Sequence, residues 1–430
     1  MKQSDTLHLL RRAGFGASDS EVLAYRDLSL AEAVERATQI DGGPTEDDVP
    51  QVAGENKGEE RRYLASWWLD QMASSPAPIV ERLTYFWHSH FACSIRRVDD
   101  MRLMRAQHVL FRTAGLGPFR QLLHQVAIDP AMLIDLDNAS NFRGREQENF
   151  ARELMELYTL GVGNFTEHDV VEMARAWTGH SLLHNPKPET YLFKPWLHDH
   201  SSKTILGVTR YWNGPETIDE LVDGEGKDRT SRHLVSKLWR EFGDPGWSSP
   251  ELIDRLAATW RASDGNALEV VRAIFLSDEF WSTQRRYSMV TPPVAYITNL
   301  RRRTGVTLPS RLGDLALAGM DHSLFTPPTV AGWGHNDYWL TSSSLQIRAY
   351  VAHRLSGEVS QRGLLTNLRH DSPAAATDRI FALFGVPDAS DQSRSTTMEW
   401  CAAARSVLTN AQFEREAFRY GALLPEVNLS

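Results

Sequence analysis

Histidines are the first residues in this chain that could do chemistry. The segment YFWHSHF, residues 85–91, sets His88 and His90 among four aromatic rings. An imidazole serves as a metal ligand, a general base or a general acid. If residues 78–91 form one helix, with Pro78 tolerated in its first turn, successive side chains turn by about 100°. Ile79, Val80, Leu83, Phe86, Trp87 and Phe91 then share one apolar face. His90 falls inside that face, and His88 lies about 160° away by the same rotation, near Glu81. An i, i+2 pair on a helix points apart and cannot chelate one ion. The two histidines would share a site only if the helix ended near Trp87 and the chain ran extended from there. His90 is the residue the pattern buries, and a buried neutral imidazole needs partners for both nitrogens.

A second chemical stretch is RGREQENFARELMELYTLGVG, residues 143–163. Phe150, Leu154, Leu157 and Tyr158 define an apolar side. Glu148, Arg152 and Glu156 form an i, i+4 ladder opposite it, with Asn149 and Glu153 in a neighbouring row. One reading is a solvated face laced by ion pairs, each worth a few tenths of a kcal/mol. The other is a polar stripe facing an internal cleft, where carboxylates and histidines from another helix bind a metal. In that reading His90 and Glu153 are ligands, His88 or Glu156 completes the set, and Arg152 orients a carboxylate or a substrate anion. Mixed His and carboxylate ligation suits iron, manganese or zinc. The Glu-x-x-His pair of di-iron bundles is missing, since no histidine accompanies Glu153 and Glu156.

Two loops add candidates. WLHDHSSK carries His198, Asp199 and His200, and WGHNDYW carries His335, Asn336 and Asp337 behind Gly332 and Gly334. Both are read as covering the pocket, with His198, Asp199 and His335 as candidate reacting groups; as plain structure they would be an exposed turn and a tight turn packed by Trp333 and Trp339. Thr166 and Asp169 are read as a variant capping box. The sequence contains no GxSxG, GxxxxGK[ST] or HExxH motif and no CxxC pair.

The elements that must position these groups are helical. Helix-length apolar periods closed by Gly, Pro or Asn recur along the chain without a strand–helix rhythm, which predicts an all-α fold in one large domain spanning residues 1–430. Ser29 is a plausible N-cap. Residues 41–60 read as an acidic mobile loop, 181–230 as a loop-rich insertion with at most one small β-hairpin, and 365–430 as a C-terminal helical subdomain of two or three helices. The arginine run 301–303 reads as a solvated helix end. A net charge of −9 over 430 residues argues against a nucleic-acid partner. Two cysteines permit one disulfide but no disulfide framework. No long apolar span and no export-signal pattern after Arg11–Arg12 is present, so no membrane span and a cytoplasmic location are expected.

Taken together, HLLRRAGFG, FWHSHF, ENFARELMELYTLGVGNFTEHDVVEMARAWTG, LHDHSSKTILG and FTPPTVAGWGHNDYWL resemble the bacterial family named domain of unknown function 1800, over roughly residues 7–355. The resemblance implies a helical architecture and, by analogy, an exported location and a sulfatase-like protein partner. It implies no settled reaction. This chain departs from it at Tyr158, where many relatives carry histidine, and at His180, where many carry tryptophan. The functional expectation is a metal-dependent enzyme acting on a small molecule or peptide. Its rivals are a helical scaffold with a buried polar network and a metal-free acid–base enzyme.

Overall fold

Pro78 opens the helix on which the candidate histidines sit. Its fixed φ and missing N–H suit the first helical position, and the helix runs Pro78–His90 with all twelve residues from Ile79 to His90 buried. The Ile79/Phe86/His90 face is therefore not the only covered one. The 57–74 and 101–113 helices pack against this helix and cover the side that carries Glu81 and His88. A helix buried all round belongs at the centre of a large domain.

The structure, a computed structural model, describes residues 1–40 and 45–430. Among these, helices dominate and the only strands form two separate antiparallel hairpins. The fold is all-α, as the periodicity predicts. The hairpin expected within KTILGVTRYW pairs β3 (Lys203–Ile205) with β4 (Val208–Arg210). A second hairpin pairs β1 (His180–Leu183) with β2 (Thr190–Phe193). The predicted loop does not extend to residue 230, because helices Gly214–Val222 and Lys227–Leu238 occupy its end.

Local capping explains several boundaries. Ser29 and Glu32 form a capping box, as do Thr166 and Asp169. The acidic loop read over 41–60 includes residues 41–44, which lie outside the described residues, and it ends where helix Lys57–Ser74 begins. Its segment 46–50 is tied down by the Arg105 guanidinium, which donates to the carbonyls of Glu46, Val49 and Pro50.

One apolar cluster runs from Leu9 to Val427 and takes in residues of the C-terminal helices. Helices Pro373–Phe384, Asp391–Val407, Asn410–Ala422 and Pro425–Asn428 make up that region, and Asn410–Ala422 packs against the long helix Ser342–Gln361. The 301–303 arginines are not solvated. Arg302 pairs with Glu21 and donates to the carbonyls of Met72 and Ala73, while Arg303 pairs with Asp19 and donates to Leu383. They tie the Pro293–Thr304 helix to distant parts of the chain. Cys93 and Cys401 are both buried and free. No helix among the described residues is long and apolar enough to cross a membrane.

Candidate functional site

His88 and His90 stay on one helix to its last residue, so their rings project apart, as i, i+2 geometry requires. His88 enters a closed aromatic box. Its Nε2 lies 2.9 Å from His108 Nδ1, with the rings of Trp68, Phe111 and Phe325 around it. Burial holds His88 down to about 3, so it stays neutral. Beside it Arg112 donates to Glu81 Oε1 at 2.6 Å and Trp68 Nε1 donates to Glu81 Oε2 at 3.0 Å. This is a dry, enclosed polar network in which Glu81 is satisfied by Arg112 and Trp68 and His88 by His108, while His108 Nε2 and two Arg112 nitrogens make no hydrogen bond among the described residues.

The carboxylate helix is Glu148–Glu156, shorter than its periodicity suggests. Arg152 bonds Glu148 and Glu167 at the surface, which is the solvated ion-pair reading and not the orienting role expected of it. Glu153 is half-buried; burial, then the neighbouring Glu156 charge, raises its carboxyl above the usual range. Among the described residues no three His, Cys, Asp or Glu side chains are grouped so as to hold a metal ion. The structure thus does not gather His88, His90, Glu153 and Glu156 into one ligand set for iron, manganese or zinc. At the two departures from the family pattern, Tyr158 packs its ring 5.7 Å from that of His90, and His180 bonds the Tyr191 hydroxyl at 2.8 Å through Nδ1.

His198 and Asp199 sit beside the second hairpin and serve it. His198 Nδ1 donates to the Thr178 carbonyl at 2.8 Å. Burial would raise the Asp199 carboxyl, but bonds from Ser201 and Arg175 hold it well below the usual range. Lys203, also buried, donates its ammonium to the carbonyls of Asp199, Ser201 and Trp212. Neither His198 nor Asp199 borders the cleft described next.

That cleft brings together two of the candidate residues, His90 and His335, from segments far apart in the chain. Phe86, Ser89 and His90 form its floor at the end of the central helix, and Ala331 and His335 close one side. Gly332 allows the approach. Its φ is +89°, and a Cβ there would lie 2.2 Å from the Ser89 carbonyl oxygen, so only glycine lets the 329–335 loop seat on the helix end.

The opposite wall, from the segment SKLWREFGD, is not picked out by the sequence. Helix Lys227–Leu238 passes into a π-helical turn at Trp239–Gly243, closed by the Asp244 N–H on the Trp239 carbonyl at 3.0 Å. Such wide turns recur at functional sites. Gly243 permits this one, since a Cβ there would lie 2.4 Å from the Trp239 ring. In an unbroken α-helix Lys237 and Glu241 would be i, i+4 neighbours and would pair. The extra residue per turn leaves Lys237 and exposed Arg240 at the cleft and turns Glu241 into the protein. There Glu241 Oε1 lies 2.9 Å from Arg82 Nη2, and its Oε2 lies 3.7 Å from His335 Nδ1.

Electrostatics mark the same place. Burial, with Arg240 adding to it, brings Lys237 down to about 7. Burial lowers His335 as well, opposed by Glu241. His90 is held well below its ordinary value by burial, then by Lys237 and His233, against a main-chain contact at Tyr158. Neither of its buried ring nitrogens makes a hydrogen bond of standard geometry. The arrangement offers a proton acceptor at His335, a second at Lys237, and a carboxylate whose charge faces the first across 3.7 Å.

A larger cavity, about 670 Å3, lies elsewhere, near Gly14 and Gly16. Its arginines are already engaged: Arg36 with the Ala24 carbonyl, Arg272 with Glu269 and Thr38, Arg302 with Glu21. It therefore offers no uncommitted cation, and the His90–His335 cleft is the stronger candidate.

No curated protein and no solved structure matches the chain. A family model described as "Protein of unknown function (DUF1800)" matches residues 8–426. With nearly the whole described fold inside that match, the chain belongs to this family.

Proposed function

We propose that this protein is an acid–base enzyme acting on a small molecule or peptide at the His90–His335 cleft. His335 moves the proton, the Glu241 charge facing Nδ1 raises its affinity for it, and Lys237 is the second proton-transfer group. The observation that carries this reading is convergence: His335, Lys237 and a fully buried, unmatched His90 meet at one small cavity. A base poised near the working pH is what proton-transfer catalysis needs. The buried network of Glu81, Arg112, His88 and His108 favours a structural role for that half of the motif, which keeps the scaffold reading for those residues alone.

Two measurements test the proposal. Competitive amine labelling against pH, read by mass spectrometry, gives each lysine its own midpoint; Lys237 is expected near neutrality. Hydrogen–deuterium exchange at the histidine Cε1 gives the His335 midpoint, which is expected to fall in Glu241→Gln as the favourable charge is lost. A Lys237 midpoint in the ordinary lysine range, with His335 indifferent to Glu241→Gln in a folded variant, would sink the reading.

A further inference from the structure

The charges around the cleft do not balance. Lys237 Nζ reaches only the Leu157 carbonyl, at 3.3 Å. Among the described residues it has no carboxylate within ion-pair distance, and neither does Arg240. The two acids nearby are committed elsewhere. Glu241 is held by Arg82 and faces His335, while Asp244 accepts from Arg285 Nη1 at 2.9 Å. Counting Arg82, Lys237 and Arg240 against Glu241, the cleft carries a surplus of two positive charges when Lys237 is protonated. The whole chain is at −9. A positive focus in a low-dielectric recess of an acidic molecule draws anions to that point and away from the rest of the surface.

A second observation is independent of the charge count. His90 is 1% exposed, it borders the cavity, and neither ring nitrogen makes a hydrogen bond of standard geometry, although the ring meets the Tyr158 main chain. One of those nitrogens carries hydrogen in any neutral tautomer, so the floor holds an N–H without an acceptor in good geometry. Buried polar groups are nearly always matched, and a lone donor beside two unpaired cations is matched by an anion's oxygen. The free space is about 20 Å3. A cavity that size takes about one water-sized group, which fits an oxygen of an oxyanion and excludes a whole substrate.

We infer that the cleft is a receptor for an oxyanion carried by the substrate, such as a phosphoryl or sulfuryl ester, with Lys237 and Arg240 as its cationic clamp and His90 as a floor donor. The inference rests on the reading of this cleft as the reaction site and names the class of substrate for it. Exposed Arg240 and Ala331 mark the mouth through which the rest of the substrate projects. Arg240, free of an acid partner, can meet two oxygens at once.

The test uses the full-length protein with inorganic phosphate, sulfate and phenyl phosphate as probes, by titration calorimetry in chloride at fixed ionic strength. Saturable binding is expected. Arg240→Ala should weaken it at least tenfold, while Arg152→Ala, at an arginine paired with Glu148 and Glu167 away from the cleft, should leave it unchanged. His90→Phe keeps the ring volume and should weaken it several-fold. Phenyl phosphate should bind at least as tightly as phosphate, because its ring leaves through the mouth. Phosphate should also raise the labelling midpoint of Lys237, since an anion favours the ammonium. Absence of saturable binding, or binding indifferent to Arg240→Ala, overturns the inference; weaker binding of phenyl phosphate overturns the placement of the ester group. The two proposals separate cleanly. A near-neutral Lys237 without anion binding ends this one and spares the acid–base reading. Anion binding with an ordinary Lys237 and a His335 indifferent to Glu241→Gln does the reverse.

Discussion

If Lys237 is a cation the fold tolerates for function, replacing it should stabilise the protein, and the gain should depend on pH in a fixed direction. Lysine ordinarily titrates at 10.5, and here burial brings it to about 7. At about 1.4 kcal/mol per unit, that gap is an upper bound of about 5 kcal/mol for keeping the ammonium in place. The side chain is only partly buried, and solvent screening cuts the figure to about 2 kcal/mol. The sign follows from proton counting. Between the folded and unfolded values the unfolded chain binds more protons, so wild-type stability rises with pH from near 7 to above 10 and falls as the pH drops through that window. Lys237→Met removes the term and nearly keeps the volume. The variant should therefore be more stable than wild type by about 2 kcal/mol near about pH 6, and by less than half of that near about pH 9.

Thermal melts in phosphate-free buffer read this directly. For a chain of this length about 2 kcal/mol corresponds to a rise of roughly 2–4 °C in Tm. His233 Nε2 also meets the Leu157 carbonyl, at 3.0 Å, so the acceptor lost by the substitution keeps a partner. A variant less stable than wild type, or a gain identical at both pH values, refutes the reasoning, because either result means that Lys237 carries no desolvation penalty.

Three other outcomes are expected. Glu81→Leu strands the Arg112 guanidinium in a dry site and should cost about 3–5 kcal/mol, while Glu81→Leu with Arg112→Met should recover most of that loss in chemical denaturation. Gly332→Ala places a Cβ against the Ser89 carbonyl at a positive φ; it should lower stability by at least about 1–2 kcal/mol, and by opening the cleft it should move the Lys237 labelling midpoint towards the ordinary range. His88→Phe leaves His108 with both ring nitrogens unmatched and should cost about 1–3 kcal/mol, whereas His90→Phe, which strands nothing, should change the melting temperature little or raise it.

What the sequence disclosed follows the reach of local periodicity. The rotation of about 100° per residue placed His90 on the apolar face and His88 away from it, and the spacing of Thr166 and Asp169 gave a cap, because each of these signals lies within one or two turns. What meets a face is a different matter. The side carrying His88 and Glu81 looks polar, yet it is covered, since Arg112 and His108 come from a separate helix to match it. The stripe of Glu148, Arg152 and Glu156 has the same polar appearance and faces solvent. Periodicity cannot tell these two apart, because both are polar rows on amphipathic helices. Lys237 and Glu241 escaped for a subtler reason: their spacing matches a routine helical ion pair, and only the π-helical turn separates them. His335 was visible as a residue, behind two glycines, but its company was not.

His88 and His90 make an internal comparison that bears on where function lies. They share a helix, both are buried, and both are kept neutral by burial. The fold supplies His88 with a histidine partner and surrounds the pair with aromatic rings, as a core does with a polar residue it must keep. It supplies His90 with aromatic rings too, but with no hydrogen bond of standard geometry, and it sets that ring beside a lysine and an arginine that have no acid partner among the described residues. Packing alone gives no reason to hold His90 and Lys237 here, since each lowers stability where an apolar residue of similar size would not, and exposed Arg240 sets a second cation without an acid partner at the mouth. A single anionic ligand that accepts from all three removes the penalties at the two buried groups together. The geometry is therefore that of a fold in which stability is given up at the place where something else binds.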